Sequence, residues 1–171
     1  MLPNPLHPAI VHFPLVLAFI LPISAFVAIW TIRKGTRATR AWIVPLAIAA
    51  GLSFTSWVAV ETGEDQDERV EQVLQDAPLD AHEDAAETFL TGSLVLLLVT
   101  GAGLARGRIG KFSRIAAGVA AIALIAGAGY VGHTGGQLVY KYGAASAYTT
   151  PAAPSNVAAR SGGTASHDED D

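Results

Sequence analysis

The sequence predicts an all-α membrane protein, a four-transmembrane-helix up-down bundle with both termini on one side. Three observations carry this. Four apolar runs, 13–32, 41–60, 88–105 and 115–133, contain no Lys, Arg, Asp or Glu. Each approaches the roughly 20 residues that cross a hydrocarbon core. Eight of the 11 basic residues sit in two short loops, Arg33, Lys34, Arg37 and Arg40 in one and Arg106, Arg108, Lys111 and Arg114 in the other. All 15 acids and 4 of the 5 histidines fall in the remaining extramembrane segments, and His133 closes the fourth run at its outer end. Basic residues favour the cytoplasmic face. The expected topology is therefore N-out and C-out, with the acids and histidines outside.

Composition agrees. The chain is 51% hydrophobic and 15% charged, with a mean hydropathy of +0.38, and its net charge of −4 averages two oppositely charged ends. A short basic strip with no recognised fold or interleaved aromatics is a topology signal, so no nucleic-acid partner is expected. The lipid bilayer is. With no cysteine, disulfides, iron–sulfur clusters, thiolate zinc sites and covalently attached c-type haem are excluded.

The elements follow in order. Residues 1–12 are Pro-rich and hold His7 and His12, and Pro8 suits a first helical turn. No basic segment precedes the first run, which is longer than a signal-peptide core, so it is expected to be retained as a helix. Pro14 and Pro22 interrupt its hydrogen-bond ladder, a break that survives in a membrane only where neighbours satisfy the freed carbonyls. The second run carries Gly51, Ser53 and Ser56, the third Gly92, Ser93 and Gly101, the fourth Gly118, Gly127 and Gly129. Small residues let transmembrane backbones approach closely, so a compact bundle is expected. Trp30 and Trp42 read as interface aromatics at the basic end, and Trp57, Tyr130, Tyr140 and Tyr142 at the other.

The outer loop, 61–87, holds 11 of the 15 acids against one base, Arg69. Val70, Val73 and Leu74 recur at helical spacing, which predicts a short amphipathic helix there. Pro78 is expected to end it. Asp80 with Glu83 three residues on reads as a capping box opening the third span. After the fourth run, Gly132, Gly135 and Gly136 read as a helix stop, with 138–142 folding back on the interface. From Ala144 the chain turns to Ala, Ser, Thr, Pro and Gly, so 1–143 reads as the transmembrane domain and 144–171 as a disordered tail. His167 is incidental to any site.

The candidate site is the set His7, His12, Glu61, Glu64, His82, Glu83, Glu87 and His133. These residues stand at or near the outer ends of four helices, and neighbouring ends in a packed bundle lie about 10 Å apart. Imidazole suits Zn, Cu, Fe and Ni, and carboxylates complete such sites. Two imidazoles on facing helices also suit haem b. The cofactor-binding candidates are thus His7, His12, His82 and His133. For a divalent metal, Glu61, Glu83 and Glu87 join them. The Glu-x-x-His spacing of bundle di-metal sites is absent.

The ends of the chain carry a family resemblance. His7-Pro8-x-x-Val11-His12-Phe13-Pro14 and Gly135-Gly136-x-Leu138-Val139-Tyr140-x-x-Gly143 resemble the two ends of a bacterial membrane family of unknown function, DUF2231, over roughly residues 5–143. Glu61-Thr62-Gly63 and His82-Glu83 are similar to one branch of it. The resemblance implies a multi-pass bacterial inner-membrane protein, in some members joined to cytochrome-like redox modules. It supplies no reaction. The residues it carries over are His7, His12, Gly135, Gly136 and Tyr140.

The leading expectation is an inner-membrane protein with an outward His/Glu site for haem b or a metal, working with a cytochrome or other redox partner. The alternatives are a structural or assembly subunit without cofactor and a small transporter. The transporter ranks last because no acid or base lies at mid-membrane depth. No Ser or Thr stands in a nucleophile elbow, so hydrolytic catalysis is not expected.

Overall fold

A computed structural model describes residues 6–74 and 76–148. The described chain is helical: α1 (His7–Ile10), α2 (His12–Arg33), α3 (Ala38–Glu71), α4 (Asp76–Ala102), α5 (Gly107–Tyr140) and a short 3-10 helix, Ala144–Tyr148. Four helical stretches are long and apolar enough to cross a membrane, α1 with α2 forming the first. α2 packs on α3, α3 on α4, α4 on α5, and α5 back on α2, so the four close into a ring.

The break between α1 and α2 has a covalent cause. Pro14 has no N–H to give the Ile10 carbonyl, and the next bond, Leu15 N to Val11 O, is stretched to 3.4 Å. The remaining helices run further than the apolar runs alone indicate. α3 has 34 residues, about 50 Å of helix. Its last turns carry Glu61, Glu64, Asp67, Glu68 and Glu71 beyond the second apolar run. Of the segment expected as an amphipathic helix, the part up to Glu71 is helical, as the extension of a span rather than a separate helix, and Val73 and Leu74 lie in the turn after it.

Two further boundaries differ. α4 begins at Asp76, so Pro78 lies in its first turn instead of ending a helix, and Asp80 is inside the helix rather than at its cap. α5 continues through Gly132, Gly135 and Gly136 to Tyr140. The stop comes at Gly143, whose φ of +79° is left-handed and is readily adopted only by glycine. The chain then turns into Ala144–Tyr148. Ala144 is buried with Val70, Leu79 and Leu138, so the segment expected as tail starts with a packed turn. Residues 149–171, with His167, lie outside the described residues.

The core lies at the ring's centre: Leu21, Ala25 and Ala28 of α2, Trp42, Ala49 and Leu52 of α3, Phe89 and Leu96 of α4, Ala117, Ala121 and Ala128 of α5. Small residues seat larger ones, as a Cβ at Gly92 would lie 3.2 Å from Leu124 and one at Gly51 3.5 Å from Leu17. Trp42, at the basic end, is fully buried between helices. Its Nε1 donates to Thr100 O at 2.8 Å, and Ser53 Oγ donates to Ser93 O at 3.0 Å. These bonds tie α3 to α4, each contributing about 0.6 kcal/mol on the scale typical of membrane bundles. Among the described residues every buried side-chain polar atom has a partner.

Candidate functional site

Two histidines meet at the acidic end. The rings of His7 and His82 lie edge to face, with centroids 6.3 Å apart. His7 opens α1 and His82 stands in the second turn of α4. Each ring is oriented by a bond from its Nδ1. His7 Nδ1 donates to Ala59 O at 2.8 Å, since a carbonyl only accepts. Thr62 is no competitor there, because its hydroxyl donates to Val58 O and Ala59 O. His82 Nδ1 lies 2.9 Å from Thr134 Oγ1, whose proton goes to Val131 O. So His82 is again the donor. In both neutral rings the lone pair is left on Nε2.

Two glycines make room for this pair. A Cβ at Gly135 would lie 3.0 Å from His82 Cε1, and one at Gly63 would lie 3.3 Å from His7 Cε1 and Nδ1. The first of these is a residue of the C-terminal motif, and its place is explained by the ring seated on it. A Cβ at Gly136 meets nothing within 4 Å.

The pair lines two adjoining cavities. One, of about 180 Å³, is lined by His7 and His82 together with the carboxyl side chains of Glu64, Asp67, Glu83 and Glu87. Asp67 of α3 and Glu83 of α4 stand on the same wall, two acids of like charge facing one cavity. The other cavity, of about 450 Å³, lies toward the bundle centre and has no Asp, Glu, Lys or Arg in its wall. Its floor is Pro14, Ser56, Phe89 and Ala128, all within the charge-free runs, and His12 joins the histidine pair on its wall.

The 3-10 helix roofs the acidic cavity. Tyr148 Oη donates to Gln66 Oε1 at 2.9 Å, and the Arg69 guanidinium lies 5.4 Å from the Tyr148 ring centroid. Burial pushes the Tyr148 hydroxyl above its ordinary pKa, opposed by Arg69 and reinforced by Asp67.

The structure therefore sorts the expected residues. His7, His82, Glu64, Glu83 and Glu87 share the acidic cavity. His12 shares only the apolar cavity, and its side chain is exposed. Glu61 is exposed and lines neither cavity. His133 is exposed and bonds Gln137 Nε2 at 2.8 Å, in a shallow groove away from the pair. Among the described residues no three His, Asp or Glu side chains form a metal-binding group. Sequence reasoning missed Asp67, Gln66, Thr134 and Tyr148. A signal existed for the first: Val60, Gly63, Glu64, Asp67 and Val70 recur at helical spacing, which places Asp67 on the face that carries Gly63.

A family profile described as "Predicted membrane protein (DUF2231)" matches residues 3–147. No curated protein and no solved structure matches the chain.

Proposed function

The chain belongs to the DUF2231 family of predicted membrane proteins, and from that premise we propose that it is a metal-binding component of a redox system in the bacterial cytoplasmic membrane. Its acidic end faces outward and both basic loops face the cytoplasm, the orientation that the clustered Lys and Arg residues favour. Reporter fusions after Arg37 and Arg108 should report cytoplasm and one at Gln72 the exterior. Reversed signs at those positions would overturn the topology.

The observation that carries the reading is the His7–His82 pair. Ring centroids 6.3 Å apart leave room for one ion bound to a nitrogen of each ring at about 2.0–2.1 Å. Metal-ligating histidines characteristically give their other N–H to a carbonyl or similar acceptor, which fixes tautomer and orientation. Both rings do so here, to Ala59 O and Thr134 Oγ1. Carboxyl groups of Glu83 and Glu87 on the same cavity wall complement a cation. Two imidazoles supply only part of a coordination shell, so open positions remain for water or a ligand. Imidazole with carboxylate suits Zn, Cu, Fe or Ni.

Haem b is the second reading. Two imidazoles suffice as its axial ligands, and the apolar cavity favours a macrocycle. The four carboxyl side chains across the pair favour the ion. Absorption spectra of the purified protein, oxidised and reduced, together with elemental analysis, separate the two. About one transition-metal ion per chain without a Soret band supports the ion. Neither metal nor haem in the membrane-extracted protein would reduce the histidines to staples that tie α1 to α3 and α4 to α5, the role of a structural subunit.

A further inference from the structure

The apolar cavity has the composition of a ligand site rather than of a packing defect. Its volume of about 450 Å³ lies in the range of small-molecule pockets, about 300–1,000 Å³. Its wall is apolar apart from a few polar groups, three of them imidazoles at one end. A hole left by loose helix packing has no reason to gather three of the five histidines of the chain. No charged side chain lines it, so an ionic head group would be desolvated there without a partner, at considerable cost.

Access is from the side. Leu15 of α2 and Gly132 and Tyr140 of α5 line the cavity and are exposed, and a Cβ at Gly132 or Gly136 meets nothing within 4 Å. The mouth therefore opens between the acidic ends of α2 and α5, where the charge-free runs end. The cavity shares His7, His82 and Gly135 with the acidic one, and its own exposed rim lies at the ends of the charge-free runs.

The polar groups define the head of that solute. His12 has no hydrogen-bond partner among the described contacts, and a neutral imidazole both donates and accepts. Tyr140, 91% exposed, stands at the rim, and Phe89 is the aromatic residue at the floor. A flat, uncharged ring bearing oxygens, on an apolar tail that remains in the lipid, satisfies each of these. We propose that the cavity binds a lipid-soluble quinone-type ring, with His12 hydrogen-bonded to one ring oxygen and an opposite edge directed at the His7–His82 pair. This deepens the redox reading by naming the ligand class of the same site, and it rests on that reading.

The test uses the full-length chain in detergent micelles, titrated calorimetrically with a decyl-tailed benzoquinone and, separately, with decanol as a tail without a ring. Saturable binding of the quinone near one per chain is expected, at least about ten-fold tighter than decanol. Gly136→Leu and Gly132→Leu fill the mouth without a backbone clash, and each should weaken quinone binding by about ten-fold or more while metal content stays that of the native chain. His12→Ala should weaken it by several-fold, the size of one lost hydrogen bond. Binding of decanol as tight as that of the quinone makes the cavity an ordinary lipid groove and overturns the proposal. So does quinone binding that both leucine variants leave unchanged. Metal content is read on the same samples: quinone binding without metal sinks the metal reading, and metal without quinone binding sinks this one.

Discussion

At the basic end of the bundle Trp42 is fully enclosed, its indole bonded to Thr100 O, and Arg114 Nη1 donates to Gly103 O. At the acidic end the same four helices enclose imidazoles, carboxyl groups and two cavities. One end spends its polar groups on closing the fold. The other keeps Nε2 of two rings unengaged while fixing their Nδ1 partners. The difference teaches where stability and function separate in this molecule: substitutions at the basic end should act on folding, and those at the acidic end on binding.

The largest expected effect breaks the comparison if it fails. Trp42→Ala removes a fully buried aromatic and its hydrogen bond, and should destabilise the protein by about 3–5 kcal/mol, read as lost resistance to denaturing detergent. His82→Ala should leave that resistance within about 1 kcal/mol, since it removes one half-buried ring and one hydrogen bond, yet abolish metal retention. Equal loss of stability from both would show that the two ends do the same work.

Gly135→Val comes next. A Cβ there approaches His82 Cε1 to 3.0 Å, so a branched side chain must displace the ring. Metal affinity should fall by about 10–100-fold, the range for lost orienting groups, while helical content measured by circular dichroism is unchanged. Gly118→Ala, where a Cβ meets nothing within 4 Å, should change neither and serves as the control.

Much of this was legible in the sequence. Charge-free runs and sorted charges give four spans because a bilayer tolerates little else. Boundaries were less legible, for reasons that particular residues illustrate. Gly132, Gly135 and Gly136 carry a helix penalty of about 1 kcal/mol each, and read locally they stop a helix. In the fold the His82 ring packs on Gly135, a contact between α4 and α5 that no local pattern contains. The acids of 61–71 read as a loop because they cannot enter lipid, but α3 continues through them to Glu71 beyond the apolar run. The site was half legible. His7 and His82 were both candidates, but so were His12 and His133, and spacing along the chain does not say which two meet. The pairing turns on the break that Pro14 makes and on the bond from His7 to Ala59 O, a contact across 52 positions. Asp67 was lost among 11 acids in one segment.

A smaller effect sharpens the account of the acidic end. Asp67→Asn removes one of the four carboxyl groups on the wall of the acidic cavity. Metal affinity should fall by no more than about 10-fold, less than for loss of either imidazole. The smallest change is expected from Tyr148→Phe, which loses one bond to Gln66. It should cost about 0.5–1.5 kcal/mol locally, seen as faster amide exchange near 144–148 with metal content intact.

The central claim is that His7 and His82 act as one unit. Cobalt(II) titration, followed by its visible absorption bands in the native chain, His7→Ala, His82→Ala and the double variant, tests it most directly. The account predicts one site in the native chain, and a loss from either single substitution nearly as large as from both together. Small, additive losses, or a native chain that takes up no cobalt, would contradict it.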